Sequence, residues 1–273
     1  MHIRPCDEVI SVSRTLSRSL APVVEDLELE QPVAVTAAQI AEIATRHGIR
    51  TEPRLIAHRL REAGWLLPTG TRGVWEFAPG AHAGPFGHGD PTTPLRAALD
   101  RDPSLDAALC LHTAAWAHSL ADRVPAKLDI AVPIGSRLPA GLARQTTAVR
   151  FDARLPRTRL KGVPVHAVES IVVHLAAAPS VVRWASVGEW FGELAALADG
   201  SNLQAEVDGR PEAVQRRVGY LLSGSRPDLA EPFVPARSAG KVWFGPRART
   251  IRNSAPWLIA DTILPFDPTM LPG

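Results

Sequence analysis

What this chain has little of narrows its chemistry before any motif does. Only two cysteines occur in 273 residues, Cys6 and Cys110, far apart and outside any metal-ligand spacing, which excludes a disulfide scaffold and fits a reducing compartment. No apolar run approaches the ~18–20 residues that a membrane-spanning helix needs, so no membrane partner is expected. The opening Met1-His2-Ile3-Arg4-Pro5-Cys6-Asp7-Glu8 lacks the basic region and apolar core of a signal peptide, and a cytoplasmic location is expected. The net charge of +2 is too small to argue for a nucleic-acid partner by itself.

Catalytic signatures are missing too. A restriction-type nuclease places an acid two residues before a lysine, but Lys127, Lys161 and Lys241, the only lysines, follow Pro125, Arg159 and Ala239 at that offset. A nucleotidyltransferase follows Gly-Ser with paired metal-binding aspartates, whereas after Gly135-Ser136 the next acid is the single Asp152. There is no phosphate loop ending in Gly-Lys-Ser/Thr, and Leu221-Leu222-Ser223-Gly224-Ser225 lacks the spacing of a nucleophile elbow. His112 and His118 lie six apart in a helical stretch and diverge, and His82 and His88 read as solvated loop residues. No enzyme activity, metal or cofactor is expected.

What is present is concentrated between Pro32 and Pro79. Thr36-Ala37-Ala38-Gln39 has the form of a capping box, and Ile40, Ala41 and Ala44 continue it as an amphipathic helix that His47-Gly48 stops. A second helix opens at Thr51-Glu52-Pro53, with Thr51 as the expected cap and Pro53 in the first turn, and runs to about Ala63. Trp65-Leu66-Leu67 and Val74-Trp75-Glu76-Phe77 flank a glycine-containing tip, the composition of a hairpin. Two helices across a tight turn followed by a hairpin read as a winged helix-turn-helix.

Along the second helix Ile56, Leu60 and Ala63 fall on one side and Arg54, His58 and Arg61 on another, so burying the first row presents the second to a major groove. Arg50, Arg59 and the tip residue Arg72 are then placed to meet phosphates, and Thr36 and Thr51 stand at the helix starts nearest the duplex. The ordinary alternative is a solvated helix face on which Arg54, Arg59 and Arg61 pair with Glu52 and Glu62. Charge is polarised around the turn: Glu25, Asp26, Glu28, Glu30 and Glu42 precede it, whereas Arg46, Arg50, Arg54, Arg59, Arg61 and Arg72 face only Glu52 and Glu62.

The expected organisation is α+β: an N-terminal winged helix-turn-helix domain at 1–80, a Gly/Pro-rich linker at 81–93, and a larger mixed α/β C-terminal domain at 94–273. Leu16, Leu20, Val24 and Leu27 suggest a helix before the reader, with Ala21-Pro22 as a boundary. In the second domain, helices are expected at 94–100, 106–120, 169–178, 181–198 and 211–222, and strands at 128–132, 148–153, 163–168 and 241–244. The closing apolar run from Trp257 to Pro265 reads as core. Two basic clusters stand there: Arg137, Arg144, Arg150, Arg154, Arg157, Arg159 and Lys161 beside Asp152 alone, and Arg237, Lys241, Arg247, Arg249 and Arg252 beside no acid. Each suits either a polyanion or acidic partner or plain solvation.

The order of features resembles the AbiEi-type antitoxins of type IV toxin-antitoxin systems, which are winged-helix regulators. The resemblance rests on Pro32-Val33-Ala34-Val35-Thr36-Ala37-Ala38-Gln39-Ile40, Arg59-Leu60-Arg61-Glu62-Ala63-Gly64-Trp65-Leu66 and Arg72-Gly73-Val74-Trp75-Glu76-Phe77-Ala78-Pro79. Weaker echoes follow in the segment from Leu111 to Leu120, at Val168-Glu169-Ser170 and in Arg217-Val218-Gly219-Tyr220-Leu221-Leu222. It implies a repressor that binds inverted repeats in double-stranded DNA at its own operon and counteracts a nucleotidyltransferase toxin through its C-terminal domain. The alternative carried beside it is a winged-helix regulator whose C-terminal domain binds a small-molecule effector, unrelated to toxins.

Overall fold

A computed structural model describes residues 18–79, 89–236 and 238–271. Cys6, Leu16, His82, His88, Arg237 and most of the expected linker lie outside the described residues. Contacts between Cα atoms divide the chain into two compact units, Met1–Pro103 with Ala140–Leu142, and Ser104–Pro139 with Ala143–Gly273. Both mix helix and strand, so the chain is α+β, with three sheets among the described residues.

The first unit opens with α1 (Ala21–Glu30), whose start is fixed by a proline in its first turn and whose Val23, Val24 and Leu27 are buried. Next come β1 (Ala34–Thr36), α2 (Ala37–Arg46), α3 (Pro53–Glu62), β2 (Leu66–Pro68), β3 (Val74–Phe77) and α4 (Thr93–Arg101). The capping box of α2 is formed: the Gln39 amide donates to Thr36 Oγ1 at 3.2 Å, and the Thr36 amide donates to Gln39 Oε1 at 2.8 Å. After the C-cap His47, Gly48 takes φ +64°, a left-handed turn in which a side chain is strained. The cap of α3 differs from expectation. Glu52, which precedes Pro53, is held extended at ψ 134° and so is itself the N-cap in place of Thr51, without a side-chain capping hydrogen bond.

β2 and β3 pair antiparallel from Leu66 opposite Phe77, and β1 joins β3 on the other side, giving the order β1-β3-β2. The third strand was not legible in the sequence. The tip between β2 and β3 is held by its own bonds: buried Thr69 donates through Oγ1 to the Val74 carbonyl at 2.8 Å, and Gly70 and Gly73 sit at φ +78° and +77°. Leu27, Ile40, Ile43, Ile56, Leu60, Leu66 and Phe77 share one apolar core. α4 buries Leu95, Ala97 and Ala98, and the division of the chain falls after this helix.

The second unit carries β4 (Ala108–Leu109), α5 (Leu111–Ala117), β5 (Asp129–Val132), β6 (Thr147–Arg150), β7 (Thr158–Leu160) and β8 (Val163–Val165), with α6 (Ala140–Gln145) between β5 and β6. These strands form a mixed sheet of order β6-β5-β4-β8-β7, and the first three residues of α6, Ala140–Leu142, are counted with the first unit. Helices α7 (Val168–Ala177), α8 (Val187–Leu197), α9 (Gly200–Val207), α10 (Glu212–Leu222) and α11 (Pro227–Ala230) follow, then β9 (Val242–Phe244), β10 (Arg252–Ser254) and β11 (Ile259–Asp261) in a sheet of order β10-β11-β9. α7 is buried from Glu169 through Ala176, the signature of a central helix packed on all sides. The expected helix at 106–120 begins instead with β4, because Cys110 is extended and Leu111, the first residue of α5, takes φ +48°. The expected helix from Val181 starts only at Val187, after two short 3-10 turns. The closing run is core: Trp257, Ile259, Ala260 and Leu264 are buried.

Candidate nucleic-acid interface

Ile56 and Leu60 are 0% exposed, so the aliphatic side of α3 faces wholly inward. At about 3.6 residues per turn this commits Arg54, His58 and Arg61 to the opposite side, where all three are exposed, as are Arg50, Arg59 and Arg72. Arg54, His58, Arg61 and Arg72 line one open depression of about 640 Å³, together with Ala37, Gly73, Trp75 and Arg101. None of the lining residues carries a carboxylate. Arg50 and Arg59 are exposed outside it, and Thr36 and Thr51 are half-buried and do not line it. Thr36 instead caps α2 and borders a second depression, which it shares with Arg72, Asp100 and Arg101.

Of the carboxylates near these residues, one meets His58 and the others lie on Arg46 and His47. Glu62 lies 3.3 Å from His58 Nδ1, one turn back along the helix, rather than on Arg59 or Arg61. Arg46, which belongs with the cationic side when the sequence is read linearly, is drawn to Asp26 at 2.8 Å, with Glu30 at 3.5 Å and Glu42 at 3.7 Å. His47 Nε2 sits 3.0 Å from the same Asp26 oxygen. That ring hydrogen bond, with the charges of His47 and Arg46, holds the Asp26 carboxyl below its usual range. The ion pairs among the described residues of this unit therefore fall on Arg46, His47, His58 and Arg96, and leave Arg54, Arg61 and Arg72 facing solvent. Farther along β3, burial pushes the Glu76 carboxyl up to about 7.

Arg101 was invisible in the sequence reading. It ends α4, far along the chain from the tip, yet its Nη1 donates to the Arg72 carbonyl at 2.9 Å. Nothing in the local pattern of α4 announces that bond, since it depends on the tertiary approach of the helix end to the hairpin.

Of the basic clusters in the second unit, Arg137, Arg144, Arg159, Arg247 and Arg249 are exposed, and others are held within the fold. Arg157 pairs with Asp106, Arg150 donates to the Ser136 carbonyl at 2.8 Å, and Lys161 lies 4.5 Å over the Trp116 ring. Arg252, which has no acid near it in sequence, reaches fully buried Asp261 and the Leu264 carbonyl. Glu206 is also fully buried. It accepts from the Arg154 and Leu155 amides and Ser170 Oγ, and pairs with Arg210. His166 and His174 are 0% exposed, and no hydrogen-bond partner meets any of their ring nitrogens. Burial pushes His166 down to about 3 and His174 well below its usual range. Phe151 stacks on His174 at 4.1 Å between centroids. His112 and His118 do diverge: His112 Nδ1 meets Ser186 Oγ at 3.1 Å, and His118 Nε2 meets the His166 carbonyl at 2.9 Å. Among the described residues no group of three or more His, Cys, Asp or Glu could hold a metal ion, and no helix is long and apolar enough to cross a membrane.

Residues 107–224, which span the mixed sheet and helices α5 to α10, match the family described as the AbiEi antitoxin C-terminal domain. The antitoxin resemblance read from the sequence is thereby borne out over that segment. The chain is also similar to the crystal structure of the RV2827C protein from Mycobacterium tuberculosis, at 25% identity and a TM-score of 0.77, covering 93% of this chain and 94% of that one. No curated protein matches.

Proposed function

Taking residues 107–224 as an AbiEi antitoxin C-terminal domain, we propose that the chain is a non-enzymatic, DNA-binding transcriptional repressor and the antitoxin of a type IV pair. In this reading α2, α3 and the β2-β3 hairpin form a winged helix-turn-helix, and α3 enters the major groove. Arg54, His58 and Arg61 meet base edges and nearby phosphates, while Arg50, Arg59 and Arg72 fix the register on the backbone. The operator is an inverted repeat in double-stranded DNA upstream of its own gene, the partner in the cell is a nucleotidyltransferase toxin, and the compartment is the cytoplasm. The single observation that supports DNA reading most is the depression shared by Arg54, His58, Arg61 and Arg72 with no carboxylate in its lining. Cations arranged this way attract phosphates and release counterions, which gives affinity a steep salt dependence.

A gel-shift titration with the chain's own upstream DNA tests the reading. Retarded complex is expected at submicromolar protein, with an unrelated duplex bound more weakly. Equal binding to both duplexes contradicts sequence-specific repression. For the antitoxin role, co-expression with the neighbouring reading frame should relieve growth arrest caused by that frame alone.

A small-molecule regulator is the second reading. One observation favours it, a depression of about 690 Å³ in the second unit lined by His112, Asp122, Arg123, Glu189, Trp190 and Glu193. Metabolite-induced loss of DNA binding, with no toxin encoded next door, would support it over the first.

A further inference from the structure

We infer that Arg101 is a phosphate-contacting part of the same DNA surface, so that the reader extends beyond the helix-turn-helix and hairpin to the end of α4; this rests on the DNA-reading proposal above. Three observations on one side chain carry it. Arg101 lines the depression that holds Arg54, His58, Arg61 and Arg72, it borders the adjoining one beside Thr36 and Arg72, and its Nη1 donates to the Arg72 carbonyl at 2.9 Å.

The chemistry of that arrangement points to a sugar-phosphate strand rather than a base edge. Guanidinium groups from three separate elements, α3, the hairpin tip and α4, line one open channel together with Trp75 and Ala37. A base edge is read by one or two groups held in a plane, whereas a backbone is held by cations distributed along its path. Arg101 engages the tip carbonyl through one nitrogen, and a guanidinium has further N–H donors for a phosphate oxygen. The bond also tethers the tip that carries Arg72, so Arg101 acts both as a contact and as a positioning residue for Arg72. Asp100 borders the adjoining depression but not this channel, which leaves the channel itself cationic.

The test is the salt dependence of affinity for full-length Arg101→Gln, Arg101→Lys and wild type, on the chain's own upstream duplex and on an unrelated one. Gln removes the charge and, two bonds shorter, gives up the bond to the Arg72 carbonyl, whereas Lys keeps the charge and a donor of similar reach. Arg101→Gln is expected to weaken binding to both duplexes by about tenfold and to lower the slope of log affinity against log salt by about one. Arg101→Lys should restore the slope, which a purely structural role would leave unmoved in every variant. Wild-type affinity and slope in Arg101→Gln, alongside weakened binding by Arg54→Ala/Arg61→Ala, would overturn this inference while the DNA-reading proposal stands. If the wild-type chain binds neither duplex, or the double variant binds as tightly as wild type, the broader reading falls and takes this one with it.

Discussion

The arginines of α3 and three arginines of the second unit, Arg210, Arg216 and Arg252, look alike in sequence and are put to opposite uses. Arg54, Arg61 and Arg72 stand exposed around a channel without carboxylates, whereas Arg210, Arg216 and Arg252 reach Glu206, Glu212 and Asp261. Two of those acids, Glu206 and Asp261, are fully buried. A buried carboxylate is tolerated only with charged and hydrogen-bonding partners around it, so Arg210 and Arg252 belong to the architecture of the second unit, whereas Arg137, Arg144, Arg159, Arg247 and Arg249 stay exposed. Exposed cations facing solvent add little to stability and remain available to a polyanion. Runs of basic residues in a sequence therefore predict a partner only when the fold leaves them unpaired.

The contrast can be broken most easily at Glu206. Glu206→Ala removes the acceptor for two amides, a hydroxyl and Arg210, and is expected to destabilise the chain by roughly 3–5 kcal/mol in urea unfolding. Arg61→Ala should shift stability by no more than ~0.5 kcal/mol. Comparable losses from the two substitutions would erase the distinction between structural and free arginines.

Acid sharpens the same contrast. In the folded chain burial keeps His166 and His174 neutral, and their pKa values are lowered below the ordinary histidine value, to about 3 for His166. A lowered histidine pKa means the unfolded chain takes up protons first, so stability is full above about pH 6.5 and falls as pH drops toward 3. The loss approaches about 1.4 kcal/mol per pH unit for each histidine well below pH 6.5. Unfolding midpoints measured between pH 7 and pH 5 should fall, and His174→Phe, which fits against Phe151, should flatten the dependence.

A smaller effect is expected in the first unit at Thr36. Replacing it with alanine removes one half of the α2 capping box and should reduce stability by about 1 kcal/mol. It should also weaken DNA binding only as far as it loosens α2, because the hydroxyl is already committed to Gln39. A loss of affinity much larger than the loss of stability would give Thr36 a direct DNA contact that this geometry does not favour.

The first unit was legible because its signals are local. A capping box, a proline at a helix start and glycines at positive φ each act within a few residues, so α2, α3 and the hairpin follow directly from sequence. What stayed hidden has no local signature. β1, β4, β7 and β10 are two or three residues long, too short for alternation, and exist only because a neighbouring strand pairs with them. α6 and α9 are short helices in polar stretches. Thr51 was misplaced because Pro53 moves the cap to Glu52. Arg101 and the partners of Arg252 are tertiary neighbours, and spacing along a single chain carries no information about them.

The central claim is that the outward face of α3 reads DNA. Fluorescence anisotropy of labelled upstream duplex, titrated with wild type and with Arg54→Ala/Arg61→Ala at several salt concentrations, tests it most directly. The double variant is expected to keep its fold, lose at least ~100-fold in affinity and show a salt slope lower by about two. Unchanged affinity and slope in a folded double variant would contradict the claim.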